Sequence, residues 1–296
     1  MVDFGADEAF ETAAAKMHEH YGIKLSVYRV RQSTLVHAAR MDQQMPRPSR
    51  ALPAEGPEVI VAEADGCMVP TVSFERAPEG EDRRKYRCSA WKEMRLVAAR
   101  AKGAAHTHYA ATMRGVECAA DRWEHVVRAA GRGIKTHVHA VGDGADWIVQ
   151  SCQHRFGPDA DYLLDLFHVC DYLAAVWPAQ RKMVRRHREH LKAGRLPKVL
   201  NALRRRLESP LTPETDAPAR RALRYLQNRP DQLDYPAAIA ADLPIGSGLI
   251  ESGNRHVLQQ RLKRAGAWWL THNAHLMAQL RTVRANGRFD HYWSQN

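Results

Sequence analysis

Apolar positions recur at helical spacing in two blocks near the start of the chain, EAFETAAAKMHEHY and SVYRVRQSTLVHAARM, separated by GIKL. The pattern predicts two short helices around a turn. Gly22 gives that turn its backbone freedom, Ser26 caps the second helix, and Met17, Tyr21, Ile23 and Tyr28 pack between the two. Four prolines, Pro46, Pro48, Pro53 and Pro57, then mark residues 42–57 as a linker. Beyond it, EVIVAEADG, VPTVSFE and KEMRLVAARA read as three strands of a meander. VECAADRWEHVVRAAG has the spacing of a helix, with Gly131 placed to end it. THVHAVGD predicts a fourth strand, DWIVQSCQHRF a helix and DYLLDLFHV a fifth strand.

The order β-β-β-α-β-α-β places three antiparallel strands before α/β crossovers. It predicts an α/β fold of the ribonuclease H-like kind, with a mixed five-stranded sheet flanked by helices on both faces. From 171 to 243 the pattern turns wholly helical and dense in arginine, as an all-α insertion. Residues 244–296 then return with a long helix, LPIGSGLIESGNRHVLQQRLKRAGAWW, and another, NAHLMAQLRTVRANG. The expected organisation is therefore a helical unit at 1–41, the linker, a catalytic core at 58–170, the insertion, and C-terminal helices of the core at 244–296.

Composition changes this picture only at the partner. A content of 45% hydrophobic and 26% charged residues is ordinary for a globular protein. No apolar run reaches the roughly 18 residues a membrane span needs, and the N-terminus lacks the layout of a secretory signal, so a cytoplasmic protein is expected. Five cysteines without a C-x-x-C pair indicate neither a disulfide framework nor a zinc knuckle, and read as small buried hydrophobes. The 44 Lys and Arg against 33 Asp and Glu favour a polyanionic partner. Arg29 and Arg31, on the second N-terminal helix, suit a helix-turn-helix facing DNA, or lie on a plain hairpin packed against the next domain. Arg185, Arg186 and Arg188 have only Glu189 nearby, and are either a DNA contact or a solvated helix face.

Candidate chemistry sits at the strand ends. In a mixed α/β sheet functional side chains collect where strands finish. Asp65 ends the first strand in EADG and Asp143 the fourth in VGDGA. If these strands are central neighbours, two carboxylates face one another and repel unless a cation lies between them; hard oxygen donors favour Mg²⁺, with Mn²⁺ as substitute. Gly66, Gly142 and Gly144 then read as clearance for ion and phosphate. Glu251, just inside the helix that follows IGSG, is the best third ligand, because a capping box from Ser247 would put its acid at Ile250 instead. Arg255, Arg261 and Lys263 follow along that helix as phosphate contacts. Asp65, Asp143 and Glu251 holding two ions would serve phosphodiester hydrolysis, strand transfer, or both.

EADG, WKE at 91–93, VGDGADWI, LDLFHVCDYL, PIGSGLIESGNRHVLQQRLKRAGAWW and QLRTVRANGRFDHYW together resemble the DDE transposases of bacterial insertion sequences, over most of residues 60–293. The resemblance implies an Asp65, Asp143, Glu251 triad binding Mg²⁺ on a ribonuclease H-like core. It further implies cutting and joining of double-stranded DNA at transposon ends and target, a homo-oligomer on DNA, and a nucleoid-associated place in the cytoplasm. Asp165-x-x-His168 looks like the D/C-x-x-H element of mutator-like transposases, which implies a place for His168 near the active site. Trp268 and Trp269 are candidates to stack on an unpaired base, or pack on the helix face; Trp91 is expected in the core. Such enzymes often carry a longer N-terminal region, so a truncated copy with impaired end recognition is one expectation. The other readings are a ribonuclease H-like nuclease that only hydrolyses, and a non-catalytic DNA-binding protein derived from a transposase.

Overall fold

The computed structural model describes residues 1–44, 51–76 and 78–295. Its centre is a mixed sheet of five strands, β1 (Val59–Phe74), β2 (Arg87–Ala101), β3 (His108–Thr112), β4 (His137–Gly142) and β5 (Ala160–Leu164), in the order β3-β2-β1-β4-β5. β1 runs antiparallel to β2 and parallel to β4, so the first and fourth strands are central neighbours.

The element order expected from sequence is present, with three corrections. EVIVAEADG and VPTVSFE are one strand, because β2 offers a partner at every position from Ile60 to Phe74 and the chain has no reason to turn at Gly66. Asp65 therefore lies inside β1, two residues past Glu63, the last to pair with β4. The third strand is instead HYAAT at 108–112, which pairs with β2. The fifth strand stops at Leu164, and Asp165 caps a helix, α6 (Leu166–Val176), with bonds from the backbone N–H groups of Phe167 (2.6 Å) and His168 (3.4 Å).

Alternation along β1 serves two cores. Ile60, Ala62 and Ala64 face α4 (Val116–Ala129) and α5 (Asp146–Phe156), packing with Trp123, Val127 and Ile148. Cys67 and Val69 point the other way, onto α11 (Gly248–Gly253) and α13 (Thr271–Ala285). Helical winding continues from α11 through a π-helical turn, Asn254–Gln259, and ends in α12 (Gln260–Leu262).

The N-terminal helices α1 (Val2–Asp7), α2 (Phe10–Tyr21) and α3 (Val27–Gln43) include the two expected. Gly22 ends α2 at φ +68°, and Ser26 Oγ accepts the N–H of Arg29. Met17 is buried, but Tyr21, Ile23 and Tyr28 are exposed, because the hairpin packs through alanines and Val30. Val2, Ala6, Ala38 and Met41 share the core of α13, which joins this unit to the sheet. Of the expected linker, Pro46 and Pro48 lie outside the described residues. Pro53 O accepts the N–H of Ile134 (2.9 Å) and Pro57 O the hydroxyl of Thr136 (2.7 Å), so this stretch is docked beside the entry to β4.

Between β5 and α11 the described chain is helical, with α7 (Arg181–Lys192), α8 (Leu196–Arg204), α9 (Pro218–Gln227) and α10 (Tyr235–Ala240) building a second core with α6 around Leu173, Leu191, Leu203 and Leu226. No helix among the described residues is long and apolar enough to cross a membrane. The five cysteines are free; Cys67 and Cys152 are buried, whereas Cys88, expected inside, is exposed on the hairpin of β1 and β2.

Candidate active site

Asp65 shares its face of β1 with Cys67 and Val69, the side on which α11 lies. Its Oδ1 accepts the N–H of Gly66 (2.7 Å) and its Oδ2 accepts from Asn254 Nδ2 (2.6 Å). Asp143 follows the last residue of β4; its Oδ1 accepts the N–H of Ala145 (2.8 Å), and its backbone carbonyl accepts from the hydroxyl of Tyr225 (2.6 Å). Glu251 stands in the first turn of α11, exposed. These three acids line one cleft of about 140 Å³ with Asp165, His168 and Asp171. Residues 78 and 108 positions apart in succession along the chain, and expected from sequence to meet, are brought to the same cavity.

The electrostatics of the cleft follow from this crowding. Burial pushes the Asp65 carboxyl up to about 6, and the like charges of Asp143 and Glu251 add to the rise; the Gly66 N–H and His168 oppose it. Among the described residues no group of three or more His, Cys, Asp or Glu side chains is already drawn together to hold a metal ion. The donor set itself fits a hard divalent cation: carboxylate oxygens that repel one another, around a space of a few water molecules.

Two buried carboxylates that sequence reasoning gave no such task set the helix carrying Glu251. Ser247 makes no side-chain cap at the start of α11. Glu63, 1% exposed on β1, supplies the cap from outside, its Oε2 accepting the N–H of Ile250 (2.7 Å). Burial holds its carboxyl up at about 8. Asp165 Oδ1 caps α6, while its Oδ2 accepts both the N–H (3.1 Å) and the hydroxyl of Ser247. Asp165 thus links the helix of His168 to that of Glu251. The ring of His168 lies 5.7 Å from Tyr172, and Tyr172 stacks on Tyr225 at 4.2 Å. Asn254 and Asp171 were also missed, although each stands three residues after a named site residue, Glu251 and His168, and so on the same helical face.

The glycines have another reason than clearance for an ion. A Cβ on Gly66 would meet Glu93 Oε1 at 2.4 Å, one on Gly142 the hydroxyl of Tyr162 at 2.6 Å, and one on Gly144 the side chain of Leu164 at 2.6 Å. Gly144 also needs φ +80°. They let the protein pack against itself beside Asp65 and around Asp143.

The basic candidates divide. Arg29, Arg31, Arg185, Arg186 and Arg255 are exposed, and Lys263 is half-buried. Arg188 pairs with Glu189 at 3.4 Å. Arg261 is 2% exposed and cannot reach a phosphate on the outer surface: its guanidinium is sandwiched between Phe10 (4.7 Å) and Trp269 (4.8 Å), where burial lowers it to about 10. Trp269 is core, its indole donating to Leu262 O (3.1 Å), whereas Trp268 is exposed. Trp91, expected inside, is 56% exposed on β2 and meets the likewise exposed Trp268 at 6.4 Å.

Compared with known proteins, residues 6–292 match the model of one family, described as an uncharacterised protein family, UPF0236. No curated protein matches the chain.

Proposed function

The chain belongs to the family UPF0236, and for it we propose a Mg²⁺-dependent DNA transposase on a ribonuclease H-like core, cutting and joining phosphodiesters at the ends of a mobile element. The observation that carries this reading is the shared cleft of Asp65, Asp143 and Glu251, reached from β1, the end of β4 and α11. The adjacency of β1 and β4, expected from the sheet pattern, and the helices between the second and third acids support it further. Double-stranded DNA is the substrate, and a homo-oligomer pairs the two ends.

Asp65, Asp143 and Glu251 would hold the ions, with Mn²⁺ as substitute. Bound there, divalent ions supply activation of the attacking oxygen and stabilisation of the leaving one. The protein does the rest. Asn254 orients Asp65, the N–H of Ala145 orients Asp143, and Glu63 and Asp165 fix the turn that presents Glu251. His168 offers the cleft an imidazole that can donate to a phosphate oxygen or take a proton from an attacking hydroxyl.

The test is an assay on labelled DNA bearing the element's terminal repeats. Cleavage and joining are expected with Mg²⁺ and not with chelator. Asp65→Ala, Asp143→Ala and Glu251→Ala should each lower cleavage by more than the roughly 10–100-fold that loss of a ligand-orienting partner costs, with DNA affinity retained. Hydrolysis without joining would reduce the protein to a nuclease. Parallel loss of DNA binding would make the acids structural.

A further inference from the structure

A second cavity, of about 400 Å³, lies at the far end of β1. Val72, on its wall, is seven positions beyond Asp65, roughly 20 Å along the strand at a rise of about 3.3 Å per residue. Its walls are aromatic: Phe10, Phe74, Trp268 and Trp269. Its charged lining residues among those described are Arg31 and Arg261, with no acid between them.

Arg261 is the unusual member. Its Nε donates to Gly5 O (3.2 Å), but its Nη2, buried, has no hydrogen-bond partner, and it makes no ion pair among the described residues. A buried cation is tolerated when an acceptor meets it, and an orphaned donor inside a protein calls for a partner. Arg261, its guanidinium held between two of the aromatic walls, Phe10 and Trp269, is one of the residues lining the cavity. At its mouth Trp268 is 38% exposed, and Arg87 lies 5.1 Å over its ring.

We propose that this cavity binds one unpaired nucleotide of a DNA strand, its base among the aromatic rings with a carbonyl accepting from Arg261 Nη2, and its phosphate at Arg31 and Arg87. A carboxylate side chain would satisfy the guanidinium but leave the flat aromatic walls without a matching surface, whereas a nucleotide uses both. For DNA as the source the proposal rests on the transposase reading, but the site is separate from the acidic cleft and can be tested alone.

The probe is a duplex with a single unpaired 2-aminopurine nucleotide at one end, compared with the fully paired duplex. Expected are quenching of the 2-aminopurine and an affinity at least tenfold higher than for the paired duplex. Trp268→Ala, at the exposed mouth, should remove the preference and keep duplex affinity within about twofold; Arg261→Met, with folding checked by circular dichroism, should remove it as well. Equal affinity for the two duplexes, a preference that survives Trp268→Ala, or competition by an acidic peptide but not by mononucleotide would each overturn the proposal. A retained preference without Mg²⁺-dependent cleavage would instead count against the transposase reading alone.

Discussion

Glu63 shows how much one side chain can decide. It sits out of water, two residues before Asp65, and takes up the first turn of α11 from the strand beneath that helix. Because its carboxyl is held up at about 8, the folded protein keeps a proton that the unfolded chain gives up near the usual carboxylate value. Stability from this residue is therefore fully present in acid, declines as pH rises above roughly 4.5, and levels off above about 8, at a slope of up to about 1.4 kcal/mol per unit. Denaturant unfolding at pH 5 and pH 8 should show that decline in the wild type and a smaller one in Glu63→Gln. Asp65 and Asp143 were legible as chemistry because each sits beside a glycine in a local pattern. Glu63 was not, since what it caps lies 187 positions away, and nothing local distinguishes it from any acid in a strand.

At the scale of elements, Asp42 at the end of α3 is the tie between the N-terminal helices and the core. It pairs with Arg122 of α4 (2.9 Å), with Arg114 (2.6 Å) and with His275 of α13 (3.2 Å); burial works to raise its carboxyl, but the hydrogen bonds and charges of His275 and Arg122 outweigh it and hold the group well below the usual range. Asp42→Ala leaves the nearly buried Arg122 without its counter-charge and should destabilise by about 3–5 kcal/mol in chemical denaturation. The wild type draws this stabilisation above the unfolded carboxylate value and loses it as pH falls below about 4 toward the lower folded value, a loss the variant should not show. Elements with a strong period, α4, α5, α13 and β4, were readable. β3 was hidden in a short run of alanine and histidine. Strand and helix were confused at Asp165 because LDLFHV is apolar at both periods, and its carboxylate, as a cap, decides between them only in three dimensions.

For the whole molecule, a formal charge of +11 points to a long-range partner without saying where it docks. The helical insertion exposes Arg185 and Arg186, neither meeting an acid among the described residues, while Arg188 is engaged by Glu189. Replacing Arg185 and Arg186 by Ala should lower the slope of log affinity for duplex DNA against log salt by about two, near 0.9 per phosphate. Adding Arg188→Ala should change it less. An unaltered slope in filter binding would return these residues to a solvated face.

β1 is unbroken from Val59 to Phe74 and is clasped by β2 along nearly all of that length. It therefore acts as a ruler, with acids at one mark and the aromatic chamber at another. Side chains alternate faces along it, so only an even number of residues can be removed or added without turning one of the two sites inside out. The mate on β2 must change by the same number. The spacing between the two sites is then something the protein can alter only in steps of roughly 7 Å, and only by editing two places in its sequence together.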